Sequence, residues 1–218
     1  MDVNTFEVKL GGTRVIYNLD AAGATLPVIN PNDYPILVQS RVYAEDRKSP
    51  ASFVITPPLF RLDGQQQNRI RIVRTGGTFA PDRESLNWLC VTGISPQDDD
   101  LWGAKQPQKK MTLQFQVRVN NCIRLLIRPG DLKGTSSDVA SSVVWRREGG
   151  KLKASNPTPF YMNLASLTVG GREIQRAAAI PPLGNQTYPL PEGASGDVIW
   201  KVITDYGGES QPIRATLK

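Results

Sequence analysis

Histidine is missing altogether from this sequence of 218 residues. Its absence removes the commonest general base and metal ligand, and with it any Ser-His or Cys-His nucleophile. Cysteine is nearly as scarce: the chain has Cys90 and Cys122 only. They could be a redox pair, two buried thiols or a disulfide, and the lack of a CxxC spacing favours the disulfide. A bridge would place folding in an oxidising compartment. No apolar run approaches the roughly 20 residues of a membrane span, so no membrane insertion is expected. The opening Met1-Asp2-Val3-Asn4 carries neither the basic patch nor the apolar stretch of a signal peptide, so any such leader is expected outside these residues. No long stretch keeps a 3.6-residue apolar stripe, which argues against a helical protein.

What is present is a pattern of short strands. PILVQSRVY (35–43), NRIRIVR (68–74) and MTLQFQVRV (111–119) alternate apolar and polar residues with period two. Between them lie NPNDYP (30–35), LDGQQQN (62–68) and REGGK (147–151), rich in the residues tight turns need. The chain therefore reads as all-β, with strand spacing that suits immunoglobulin-like sandwiches. Its length favours two domains. The boundary falls in RPGDLKG (128–134), where Pro129 stops a strand, Gly130 permits a bend and SSVVWRREGGKL begins a new hairpin. This gives domains over 1–129 and 130–218.

Charge and chemistry-bearing clusters say less. The net charge of +6 would suit an anionic partner, but Lys and Arg interleave with Asp and Glu along both halves. No nucleic-acid-binding signature accompanies them, so no nucleic-acid partner is expected. Asp98-Asp99-Asp100 lacks the spaced oxygens and glycine turn of a calcium loop and reads as a solvated loop. Gly11-Gly12, Gly76-Gly77 and Gly207-Gly208 match neither a P-loop nor GxGxxG. No catalytic residue, metal site or cofactor is expected, and the chain is read as a non-enzyme. The informative element is the strand after Lys110. Met111, Leu113, Phe115, Val117 and Val119 share one face, and the strand follows the polar loop SPQDDDLWGAKQPQKK. An edge strand with a bare apolar face is a hazard unless a partner uses it. Phe6, Val8 and Leu10 form a second alternating run near the N-terminus, where chain ends seldom carry such a pattern without pairing.

Read in order, TRVIYNLDAAG, NDYPILVQSRVY, TPPLFRLDGQQQNRIRI, PDRESLNWLC, NNCIRLLIRPGDLKG and NPTPFYMNL resemble the periplasmic chaperones of the chaperone/usher pathway, the PapD-like family. The likeness spans nearly the whole chain. The cysteine pair and the long segment before the last strand of the first domain resemble the long-loop class, which serves thin fibres and capsule-like antigens. The resemblance implies two immunoglobulin-like sandwiches set at an angle around a cleft. It also implies a periplasmic protein that lends a strand to fimbrial or capsule-like fibre subunits, prevents their premature polymerisation and delivers them to an outer-membrane usher.

Carried onto this sequence, the donor strand is Met111, Leu113, Phe115, Val117 and Val119, and Phe6, Val8 and Leu10 are N-terminal contacts to the subunit. Arg14 and Arg124 match the two basic residues that grip the subunit's terminal carboxylate, although the second is usually lysine in the family. Cys90 and Cys122 match the class's disulfide; Glu84, Arg128 and Asp205 match its interdomain charge cluster. Pro57 or Pro58 in TPP is a candidate for a cis bond. Exposed donor strands could also pair with one another, giving self-capped homo-oligomers of the free chain. The rival reading of the same residues is a two-domain immunoglobulin-like adhesion or structural module, in which the alternating strand is core and the two arginines are surface charges.

Overall fold

The structure, a computed structural model, describes residues 3–94 and 115–217. The chain divides into two compact units, Met1–Thr78 with Leu86–Leu126 and Phe79–Ser85 with Ile127–Lys218. By contacts, Ile127 onward and the segment Phe79–Ser85 are grouped together in the second unit. One cause is local: the Glu84 N–H donates to the Pro159 carbonyl at 2.9 Å.

The first part of the chain forms β1 (Val3–Phe6), β2 (Lys9–Leu10), β3 (Arg14–Asn18), β4 (Ala24–Ile29), β5 (Ile36–Tyr43), β6 (Phe53–Thr56), β7 (Leu59–Leu62), β8 (Gln67–Arg74), β9 (Ser85–Ile94), β10 (Phe115–Arg118) and β11 (Asn120–Arg128). One sheet runs β2-β4-β8-β6 and the other β3-β11-β9-β5-β7, while β1 and β10 make a separate two-stranded ribbon. The period-two pattern becomes burial directly. Ile36, Val38 and Val42 of β5 are buried, as are Ile70 and Ile72 of β8, which alternate with exposed Arg69 and Arg71. Each such side chain contributes roughly 1.5–3 kcal/mol by leaving water. The Thr56-Pro57 bond is cis.

After β11 the second unit continues with a short helix, α1 (Ser136–Val139), and a 3-10 turn at Ala140–Ser142. The Asp138 carboxylate accepts the Thr135 N–H at the start of α1. Then follow β12 (Val144–Glu148), β13 (Lys151–Ser155), β14 (Leu164–Val169), β15 (Arg172–Glu173), β16 (Asn185–Pro189), β17 (Val198–Val202) and β18 (Ile213–Ala215). They form sheets β12-β13-β16 and β15-β14-β17-β18. Trp145, Trp200, Phe160 and Met162 anchor the core, with the two indole rings 5.2 Å apart. Gly170, at φ 54° in the β14–β15 turn, could not be any other residue without a shift, because a Cβ there would meet the Ser195 carbonyl.

Each unit also carries a buried asparagine before a proline. Asn30 donates from Nδ2 to the carbonyls of Tyr34, Leu62 and Asp63, and its Oδ1 accepts from the Asn32 N–H. Asn156 repeats the device, donating to Phe160 and Pro181 carbonyls and accepting from the Thr158 N–H. A loop that would otherwise bury unpaired carbonyls is satisfied by one side chain in each case.

Candidate functional site

β10 is the element on which the sequence expectation turns. It pairs with β1 in parallel, from Val3 opposite Phe115 to Phe6 opposite Arg118. Among the described residues β10 has no other strand neighbour. After one irregular, half-buried residue, Val119, the chain continues as β11, which lies inside its sheet between β3 and β9. The single long strand expected over 111–119 and beyond is therefore two strands in two sheets, with Val119 at the break. Met111, Leu113 and Asp98-Asp99-Asp100 lie outside the described residues.

The N-terminal run divides in the same way. Phe6 ends β1, Val8 is a core residue only 1% exposed, and Leu10 sits in β2, paired with β4. This corrects the expectation of one partner-facing run: the alternation continues through a change of sheet, and burial takes Val8 away from the surface. The path is pinned by Asn121, whose Nδ2 donates to the Val8 carbonyl at 2.6 Å, and by Asn32, whose Nδ2 donates to the Glu7 carbonyl at 3.2 Å.

Cys90 of β9 and Cys122 of β11 are joined by a disulfide between neighbouring strands. Closing a loop across a sequence separation of 32 is worth about 4 kcal/mol on the chain-entropy model. The bridge also fixes both ends of the intervening segment to rigid strands, one of them two residues from Arg124.

Arg14 begins β3 and Arg124 lies on β11, so the two arginines occupy adjacent strands of one sheet. Arg14 is 7% exposed and Arg124 half-buried, neither being the free surface charge of the rival reading. The Arg124 guanidinium sits 5.4 Å from the Trp88 ring centroid, and Arg47 lies over the same ring at 3.6 Å. Burial, and then the neighbouring charge of Arg47, push the Arg124 pKa below its ordinary value. Arg47 and Trp88 were not singled out in the sequence. AEDRKS reads as a solvated turn and Trp88 as one more strand aromatic, and nothing local announces that they meet.

Glu84, Arg128 and Asp205 do come together. Arg128 donates from Nε and Nη2 to Glu84 Oε1 at 2.9 and 2.7 Å, and from Nη1 and Nη2 to the Asp205 carboxylate at 2.7 and 3.0 Å. Glu84 Oε2 also accepts the Tyr161 N–H at 2.8 Å. By contacts all three residues fall in the second compact unit, because Phe79–Ser85 is grouped with Ile127–Lys218. Burial raises the Glu84 pKa despite the opposing pull of Arg128.

Among the described residues no group of His, Cys, Asp and Glu side chains could hold a metal ion, and no helix is long and apolar enough to cross a membrane.

Residues 7–133 match the N-terminal domain of the pili and flagellar-assembly chaperone PapD, and residues 138–213 match the C-terminal domain of the pili assembly chaperone PapD. Chaperone protein AfaB of Escherichia coli is 55% identical over 196 residues, covering 88% of this chain and 79% of its relative. Chaperone protein caf1M of Yersinia pestis is 48% identical over 214 residues, covering 93% and 83%. The crystal structure of the E. coli chaperone DraB superposes with a TM-score of 0.89 at 54% identity, covering 100% of this chain and 99% of that one. A chain of the Salmonella enterica SafA pilin–SafB chaperone complex gives a TM-score of 0.89 at 48% identity, covering 99% and 100%.

Proposed function

This chain belongs to the PapD family of pilus-assembly chaperones, and from that premise we propose that it captures secreted fibre subunits by lending them β10. The observation that carries this reading is the open edge: among the described residues β10 is paired on one side only, by β1. A subunit whose sandwich lacks its last strand can add to the other side through backbone hydrogen bonds, with alternate side chains entering its open core. Phe115 and Val117 alternate along β10 and supply its apolar pair. Burying Phe115 and Val117 alone is worth about 3–6 kcal/mol gross, before the cost of ordering.

Arg14 and Arg124, on neighbouring strands, hold the subunit's terminal carboxylate. Two cations serve one anion, so no proton transfer is involved and the chain works as a binder without catalysis or cofactor. β1 with Phe6 contacts the subunit beside β10. The disulfide is the bridge of the long-loop class, keeping β10 in register with the arginines. The work is done in the periplasm, where the bridge forms and where no nucleotide is needed, and ends with delivery of the subunit to an outer-membrane usher.

The test is periplasmic co-expression with fibre subunits of the long-loop class, comparing the native chain with Phe115→Ser plus Val117→Ser. The native chain is expected to co-purify with a subunit, while the double variant loses it and keeps its thermal unfolding midpoint. A double variant that unfolds would make the strand part of the core, and one that still retains the subunit would place capture elsewhere.

A further inference from the structure

The turn Ala44–Ser49 holds Arg47 in an unusual way. Arg47 takes φ 59°, a left-handed conformation that costs a residue with a Cβ some stability. The turn is over-determined to keep it there. Asp46 Oδ1 accepts the N–H groups of Lys48 and Ser49, Oδ2 accepts the Ser49 hydroxyl, and the Arg47 N–H donates to the Ala44 carbonyl. The Asp46 carboxylate is thereby committed to its own turn. The Trp88 indole N–H donates to the Glu45 carbonyl at 3.3 Å, tying the ring to the same turn.

The outcome is two guanidinium groups against one buried indole. Neither Arg47 nor Arg124 forms an ion pair among the described residues, and the Arg124 Nε is buried without a hydrogen-bond partner. Like charges held close in a partly desolvated place repel one another, and the depressed Arg124 pKa has that repulsion among its causes. A second cation is a poor way simply to cover a tryptophan. It becomes useful when an anion arrives, because the anion relieves the repulsion as it binds.

We propose that Arg47 and Trp88 belong to the anion site at Arg124: Trp88 is the platform on which the Arg124 guanidinium rests, and Arg47 is a positioning residue whose charge strengthens carboxylate binding there. This rests on the reading of Arg124 as a carboxylate anchor. It would also account for arginine at a position where the family usually has lysine, since a planar guanidinium lies on an aromatic face better than an ammonium does.

The probe is a short acetylated Val/Thr peptide with a free terminal carboxylate, set against its amidated twin. Both are titrated into the full chain while the arginine Nε–Hε resonances are followed by NMR. The carboxylate peptide is expected to move the Arg124 and Arg47 signals and to bind more tightly than the amide. Arg47→Ala should cut the carboxylate affinity about fivefold at low ionic strength and leave the amide affinity unchanged. The loss should vanish near roughly 1 M salt, and Arg47→Lys should restore most of the affinity. A loss shared equally by both peptides, or no loss at all, would overturn the proposal and leave Arg47 as a cover for Trp88. If Arg124→Ala also leaves the carboxylate preference intact, the anchor reading falls with it. If Arg124→Ala abolishes the preference while Arg47→Ala does not, the inference about Arg47 alone is lost.

Discussion

Arg124 and Arg128 lie on the same strand, β11, yet their surroundings are opposite. Arg128 is saturated: two carboxylates take its Nε, Nη1 and Nη2, and its guanidinium stands 5.1 Å from the Phe160 ring centroid. Arg124 has an indole and a second arginine for company and no ion pair among the described residues. Taking a guanidinium out of water is expensive unless something repays it. At Arg128 the repayment is internal, which marks a structural cluster. At Arg124 no such repayment is found among the described residues, which is what the proposed carboxylate site requires. Burial and residue type are similar at the two positions; the inventory of counter-charges is what separates them.

The contrast breaks most sharply at Arg128. Arg128→Ala leaves Glu84 and Asp205 facing each other without their cation and is expected to destabilise the fold by about 3–5 kcal/mol, read by urea unfolding. Arg124→Ala should do the reverse. It removes no internal ion pair, so stability should change by less than about 1 kcal/mol. Subunit capture should weaken by about 1.5–3 kcal/mol, the worth of a hydrogen bond to a charged group, read by competition in co-purification. Were both substitutions to act on stability alone, the distinction between the two ends of β11 would collapse.

A finer test uses Glu84. Its carboxyl is pushed above the ordinary value, chiefly by burial. Between that ordinary value and the raised folded value, the native state holds more proton than the unfolded chain. Stability contributed by this group is therefore present at low pH and lost as pH rises through the window. Glu84→Gln should flatten that slope, whatever it does to absolute stability, and a series of unfolding midpoints against pH reads it. An unchanged slope would mean that Glu84 does not titrate in the window.

These distinctions were only partly legible in the sequence. Period-two alternation in PILVQSRVY and NRIRIVR marked β5 and β8 because strand burial is a local pattern. Similar alternation misled where two elements follow each other without a turn signal. NTFEVKL continues its beat from β1 into β2 across a change of sheet, so Val8 looked free and is core. The run from Phe115 into β11 hid a break at Val119 for the same reason. Arg14, Arg124, Glu84, Arg128 and Asp205 stand out through family motifs, not through periodicity. Arg47 escaped both routes, since its meaning depends on a turn conformation and on Trp88, 41 positions away. The buried Asn30 and Asn156 look like any Asn-Pro turn until the carbonyls they satisfy are placed around them.

The most direct test of the account is amide hydrogen exchange across residues 115–128, for the free chain and for the chain with a captured subunit. The β10 amides that face away from β1 should exchange freely in the free chain and become protected on capture, while the interior of β11 stays protected in both states. Capture that leaves β10 exchanging as before would contradict strand donation and move the subunit's seat to another part of the molecule.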